Sequence, residues 1–143
     1  MAIVATVSNH GKFQFASGNI DLANDSLKVI LMNSTFTFDK DAHATLADVT
    51  ADQLPTGSGY TQDSKVLANP VLVEDDTNDK AAFTCDDPTW TAAGGNIGLA
   101  GGACIYDDTT ADDTVIAGID FGVDYLVLDG SSIQLQNIAI SLT

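Results

Sequence analysis

Positive charge is what this sequence has least of. Its 143 residues contain five Lys and Arg together against 20 Asp and Glu, which gives a formal net charge of −15. Nucleic-acid binding needs clustered cations to neutralise phosphates, and an anionic membrane repels a chain with this charge. We therefore expect neither a nucleic-acid partner nor a membrane partner. Such acidity is typical of a solvated surface, and it also suits a protein that sits on the outside of a larger particle.

Long apolar runs are also missing. The longest spans about five residues, whereas a membrane-spanning helix needs ~20. The first residues, Met1-Ala2-Ile3-Val4, have neither the basic n-region nor the long apolar h-region of a secretory signal. We therefore expect synthesis in the cytoplasm, where thiols are reduced by default. A disulfide between Cys85 and Cys104 is the less favoured alternative.

Residue patterns that carry catalysis or bind metal are scarce. The two histidines, His10 and His43, have no second His or Cys at ligand spacing, so a zinc site is not predicted. No G-x-S-x-G elbow occurs. The glycine run 94–102 lacks the Gly-Lys-[Ser/Thr] ending of a phosphate loop. We therefore predict no enzyme activity, no catalytic, cofactor-binding or metal-binding residues, and no cofactor.

Four acidic doublets leave two alternatives open. Clustered loop carboxylates are calcium ligands, and paired carboxylates can hydrolyse glycosides. None of the doublets matches the spaced calcium loop. One Trp and three Tyr are few aromatic side chains to line a polysaccharide-binding cleft. Aspartates at turns are favoured for local hydrogen bonding without an ion, which is the interpretation we prefer. The doublets are Asp75-Asp76, Asp86-Asp87, Asp107-Asp108 and Asp112-Asp113.

Short apolar strands dominate what the chain does contain. Apolar residues make up 45% of it, enough for one globular domain of this length. Residues 26–32 are the clearest strand in the first half. Apolar side chains fill both of its faces, so we expect it to lie between two layers or under a neighbouring subunit.

Turn signals divide the second half. Two strand-like segments, 65–73 and 81–85, predict a hairpin, and Pro70 indicates an edge or a bulge. Residues 114–121 alternate with period two, and 125–128 reads as a further short strand or link. Asp129-Gly130 then predicts a second hairpin.

The last segment changes phase. Apolar residues shift parity between Leu135 and Ile138, which predicts a bulge or break near Gln136-Asn137. Residues 12–17 fit either a short helix or a strand, and 51–54 fit a helical turn. No stretch supports a helix of ten or more residues.

Seven to nine such strands predict an all-β single domain, an antiparallel β-sandwich or jelly roll. We expect residues 1–10 to form an extended N-terminal arm or short strand and residues 11–143 to form the β-sandwich domain. The polar 33–64 loop region is long enough to suggest that it makes contacts.

The stretch from Cys85 to Asp108 holds the only tryptophan and both cysteines. We predict that it forms a Trp-bearing turn, a glycine-rich central hairpin and a strand near the middle of a sheet. Its glycines suit a close approach by another backbone. Trp90 is expected in the core rather than at an interface, because burial of its large apolar area is the commoner outcome.

Three passages, covering roughly residues 13–122, resemble a family of small virion structural proteins of tailed bacteriophages. In this sequence Ala100-Gly-Gly-Ala103 stands where the family pattern has an Ala-Arg-Tyr-Ala type of run, and no aromatic residue lies near Gln134. The passages are Phe15-Ala-Ser-Gly-Asn-Ile-Asp-Leu22 with Leu27–Leu31 and Phe36–His43; Gly57-x-Gly-Tyr-Thr61; and Asp87-Pro-Thr-Trp90-Thr-Ala with Cys104–Thr109 and Ile119-Asp-Phe-Gly122.

The resemblance implies a capsid cement or decoration subunit on the outer face of a phage head. Its partners would then be the major capsid protein and copies of itself, with a homotrimer suited to the three-fold positions of a head lattice. The alternative is a tail or baseplate component, including a receptor- or carbohydrate-binding β-domain that displays Trp90 and Tyr60. Residues 2–7 and the 33–64 loop region are the expected contact elements.

Overall fold

The computed structural model of the chain describes residues 5–143, and these form nine strands, two α-helices and one 3₁₀ turn. The helices are α1 (Asn9–Ala16) and α2 (Leu46–Val49), and the 3₁₀ turn is Thr50–Asp52. The strands are β1 (Thr6–Val7), β2 (Leu27–Asn33), β3 (Val71–Asp75), β4 (Lys80–Thr84), β5 (Thr89–Thr91), β6 (Ile97–Asp107), β7 (Val115–Val127), β8 (Ser132–Gln134) and β9 (Ala139–Leu142).

The strands form three sheets in which every pairing is antiparallel. The largest has the order β1-β7-β6-β2; a second has the order β3-β4-β9, and β5 pairs with β8. This confirms the prediction of an all-β, antiparallel single domain. None of the helices in residues 5–143 has the length and apolar character that a membrane crossing requires.

Strand β2 lies between two layers, as its two apolar faces predict. Leu27, Val29 and Leu31 enter the main core, whereas Ile30 and Met32 enter a second cluster. The second layer comes from the chain itself, because buried residues of the 33–64 loop region close that cluster. A neighbouring subunit is therefore not needed to cover this strand.

The segment after β1 is a helix rather than a strand, and a side-chain N-cap begins it. The Ser8 hydroxyl accepts the Gly11 N–H at 2.8 Å and begins α1. Gly18, at φ 75°, follows the last turn. A Cβ on Gly11 would lie 3.3 Å from the Ile116 carbonyl oxygen, so glycine lets the helix approach β7 closely. The expected division between residues 10 and 11 falls inside α1, and residues 1–4 of the expected arm lie outside the described part.

The hairpin predicted around the first acidic turn is present. Strand β3 pairs with β4 from Val71↔Thr84 to Asp75↔Lys80. Strand β3 is outermost in its sheet, as Pro70 directly before it suggests. The predicted helical turn lies a few residues earlier than expected, because α2 and the 3₁₀ turn span 46–52.

The second predicted hairpin is wrong. Residues 115–127 are one continuous strand rather than two segments. The turn at Asp129-Gly130 exists, and Ser131 N–H donates to Leu128 O at 2.8 Å. The strand after it pairs with β5 instead of returning along β7, because Ile133 lies opposite Trp90 and both are buried in the main core.

The glycine-rich stretch also departs from the prediction. Strands β5 and β6 do not pair with each other, so the stretch contains no central hairpin. Strand β6 does lie inside the four-stranded sheet, as expected. The predicted close approach is confirmed at Gly102, where a Cβ would lie 2.6 Å from the Ile119 carbonyl oxygen.

The predicted break in the final segment is confirmed. Strand β8 ends at Gln134, β9 begins at Ala139, and Asn137 between them has φ 56°. The break allows Leu135 and Ile138, which have opposite parity, both to be buried.

Candidate functional site

The two cysteines are free. Cys104 is buried in β6 and Cys85 is half-buried after β4. Burial, with the nearby Asp87 and Asp86 carboxylates, raises the pKa of Cys85 to about 11. Burial raises the pKa of Cys104 further above its ordinary value. A thiolate is the reactive form of cysteine, so neither side chain is poised as a nucleophile at neutral pH.

The two histidines support the fold locally. His10 Nε2 on α1 lies 2.8 Å from Asp112 Oδ2 in the β6–β7 turn. His43 Nδ1 accepts the Asp39 N–H at 3.0 Å, and its ring stacks on Phe36 with centroids 5.5 Å apart. The His10 contact joins α1 to the β6–β7 turn, and the His43 contacts hold the first half of the 33–64 loop region against the second core cluster.

The acidic doublets lie at or beside turns, but only part of their hydrogen bonding is local. Asp75 accepts the Asn78 amide at 2.9 Å, three residues away. Asp87 instead accepts the N–H of the distant Asn137 at 2.8 Å. Across residues 5–143, no three His, Cys, Asp or Glu side chains come together in a group that could hold a metal ion.

Asp107 is an exception that the sequence did not reveal. It is fully buried at the end of β6, where Oδ1 accepts the Thr109 N–H at 2.8 Å and Oδ2 has no donor in the described part. Burial raises its pKa to about 7, and interaction with the neighbouring Asp25 carboxyl adds to the rise. The only available sequence signal is parity, since Asp107 and the buried Ile105 lie two residues apart on one strand.

Trp90 is confirmed as a core residue and is 3% exposed. Its ring lies 6.3 Å from the Tyr60 ring, and Lys65 Nζ lies 5.4 Å from its centroid. Tyr60 is also buried, and its hydroxyl accepts the Leu31 N–H and a Gln53 N–H, each at 3.1 Å. Neither ring can therefore present a flat face to a sugar without rearrangement of the core.

Exposed apolar side chains concentrate on two strand segments. The first, the β3 edge, consists of Val71, Leu72 and Val73, each 43–50% exposed. The second, the β7 apolar strip, comprises Leu99, Val123, Tyr125, Leu126 and Leu128.

The geometry of the β7 apolar strip distinguishes it from ordinary surface. Val127 is buried in the main core, yet its neighbours Leu126 and Leu128 are 50% and 56% exposed, so they point away from that core. Strand β1 pairs with β7 only at Ala117 and Gly118. Among the described strands none covers that edge of β7 farther along. Exposed apolar side chains beside unpaired backbone groups make a candidate interface.

The contact elements expected from the sequence do not include the β7 apolar strip. Residues 2–4 lie outside the described part, while Thr6 and Val7 form β1. The 33–64 loop region buries Phe36, Val49 and Leu54 against its own sheet. The sequence interpretation of 125–128 as a short strand or link did not identify the β7 apolar strip.

Comparisons with protein-family models, curated proteins and solved structures found no match. The resemblance to phage virion proteins therefore remains a prediction.

Proposed function

We propose that this protein is a non-enzymatic virion structural protein, a cement or decoration subunit on the outer face of a phage head. Its partner is the major capsid protein, which it contacts at several points together with other copies of itself. The resemblance over residues 13–122 supports the class of protein, and the charge of −15 favours a position away from packaged DNA.

The observation that carries the proposal is the β7 apolar strip. On the surface of a monomeric soluble protein the largest apolar patch is about 300–600 Å² and is often functional. Here apolar side chains cluster along the end of β7 and on the adjacent β6 of a strongly acidic domain, next to a sheet edge that no described strand covers. Such a combination favours permanent contact with another protein.

The strength of this surface favours multivalent attachment. Full burial of a Val or Leu side chain contributes about 1.5–3 kcal/mol, and the residues of the strip are already about half covered. Five of them would add roughly 5 kcal/mol, whereas a 1 μM dissociation constant corresponds to about 8 kcal/mol. One subunit would bind weakly, and linked copies would attach tightly through avidity.

The tail or baseplate alternative loses its candidate aromatic residues. Exposure of Trp90 and Tyr60 would have favoured it, and both are buried. The exposed aromatic side chains in residues 5–143 are Phe13 and Tyr125. They lie on different elements, α1 and β7, which does not favour a stacking platform for a sugar.

Co-sedimentation with purified heads that lack the protein tests the proposal. We expect saturable binding to heads and none to isolated tails. Leu126→Ser combined with Leu128→Ser should weaken binding about tenfold or more, because two half-exposed leucines are removed from the contact. Phe13→Ser is the matched control, since it removes an apolar side chain that is 63% exposed outside the strip. Binding to tails alone, or equal effects of both variants, would contradict the proposal.

A further inference from the structure

A groove of about 620 Å³ lies where α1 faces the ends of β1 and β9. Val7, Phe15 and Leu142 give it apolar walls, and Lys12 and Lys40 also line it. The groove therefore combines apolar contact area with positive charge, in a chain that has very little positive charge.

Its two lysines have no acidic partner in the described part of the chain. Both are exposed, and neither side chain has an ion pair within residues 5–143. The other three lysines have local partners: Lys28 pairs with Asp108 at 3.0 Å, Lys65 donates to Thr89 O at 2.8 Å, and Lys80 lies opposite Asp75 in the β3–β4 register. An acidic group from another molecule would pair with these two lysines.

The β3 edge has the complementary pattern. The exposed Val71-Leu72-Val73 is followed at once by Glu74-Asp75-Asp76. Strand β3 pairs only with β4 in the described part, so its outer backbone groups are unpaired. The β7 apolar strip carries only Asp124 along Val123–Leu128 and matches two lysines less well.

The same sheet also offers an open edge at the groove. Strand β9 pairs with β4 on one side, and Ser141 and Leu142 on β9 line the groove. Within residues 5–143 no further strand is hydrogen-bonded to either edge of the three-stranded sheet, the apolar-acidic edge at β3 or the edge beside lysines at β9. A strand added at β9 would gain main-chain hydrogen bonds as well as side-chain contacts.

We propose that the groove binds the β3 edge of a second copy of this chain, so that copies join head to tail. The acids after β3 lie near Lys12 and Lys40, while the apolar triplet covers the groove walls. A contact between two different surfaces is heterologous and closes into a ring when the rotation per subunit allows it. The number of three subunits rests on the proposed function, because it is taken from the three-fold positions of a head lattice. The head-to-tail contact does not depend on that function.

Charge reversal tests the contact on the purified full chain. Light scattering after size-exclusion chromatography should show an oligomer of the wild type at about 100 μM. Lys12→Glu with Lys40→Glu should give monomers, and so should Glu74→Lys with Asp76→Lys. The quadruple variant restores the wild-type net charge and should restore the oligomer. Asp124→Lys, a reversal on β7 at an exposed site, is the control that should leave the mass unchanged.

Three results would overturn the contact: a monomeric wild type, charge-reversed variants with unchanged mass, or a folded quadruple variant that stays monomeric. Circular dichroism shows whether each variant is folded. A monomeric wild type is also the result expected if a shell protein or the chain's own residues 1–4 occupy the groove.

Co-sedimentation with heads separates this failure from failure of the proposed function. If the wild type is a monomer and binds heads, the proposed contact is wrong and the proposed function stands. If it forms a ring that does not bind heads, the proposed function is wrong and the contact stands.

Discussion

Replacement of Asp107 by Asn tests whether this buried carboxyl keeps a proton toward neutral pH. The Asn side chain has nearly the same shape, keeps an oxygen for the Thr109 N–H, and brings its own donors toward Asp25. The variant therefore keeps the hydrogen bonds of the protonated pair without a proton that can be lost.

The sign of the effect follows from the pKa of Asp107, which is raised from 3.8 to about 7 in the folded chain. Between pH 4 and 7 the folded state holds more protons than the unfolded state, so this group makes stability fall as pH rises. Each pKa unit corresponds to about 1.4 kcal/mol, so the loss is at most about 4 kcal/mol. Carboxylates with lowered pKa values, such as Asp48, act in the opposite direction at lower pH.

Urea unfolding at pH 5 and pH 8 measures the effect as a difference between the variant and the wild type. We expect Asp107→Asn to be more stable than the wild type at pH 8 by about 1–4 kcal/mol, with the gap closing at pH 5. Asp108→Asn is the control, because that neighbouring side chain is 38% exposed in an ion pair with Lys28. An unchanged gap between the two pH values, or destabilisation at pH 8, would refute a raised pKa at Asp107.

Three further outcomes are expected. Tyr60→Phe should lower the free energy of unfolding by about 1–3 kcal/mol in urea titrations, because it leaves the Leu31 N–H without its side-chain acceptor; an unchanged midpoint would contradict this. Gly118→Ala should cost about 1–3 kcal/mol or more, since a Cβ there would lie 2.0 Å from the Phe38 ring, and an unshifted thermal midpoint would contradict that packing. Cys104 should react with a disulfide reagent only after unfolding, because it is buried and its pKa is raised; prompt labelling of the native chain at this residue would contradict its burial.

Local sequence patterns predicted the elements that depend on interactions between residues near one another in the chain. Strand β2 has apolar residues on both faces and lies between two layers for that reason. The parity change before Ile138 predicts a break because one register cannot bury both halves of the segment. Turns with Asp and Gly were located correctly for the same kind of reason.

Pairing partners were predicted less well, because they depend on distant residues. Asp129-Gly130 forms a turn, yet the strand after it pairs with β5, since Ile133 packs beside Trp90 in the core. Helix α1 has only eight residues, and its start depends on the Ser8 hydroxyl rather than on apolar periodicity. A composition-based argument could not have distinguished it from a strand.

The candidate interfaces depend on three-dimensional exposure and were therefore missed. Residues 125–128 read as a short strand or link in sequence, but residues 123–127 belong to the long strand β7, whose edge β1 leaves open there. The groove brings together Lys12, Lys40 and Leu142, which are far apart in the chain. Only their positions in the fold reveal that two lysines without an ion pair in residues 5–143 share one site.

The number of copies in purified virions tests the central proposal most directly. Quantitative mass spectrometry against the major capsid protein would measure it. A decoration subunit should be present in hundreds of copies, in a fixed ratio to the shell protein and on heads without tails. A dozen copies or fewer, or copies confined to tails, would contradict a role on the head surface.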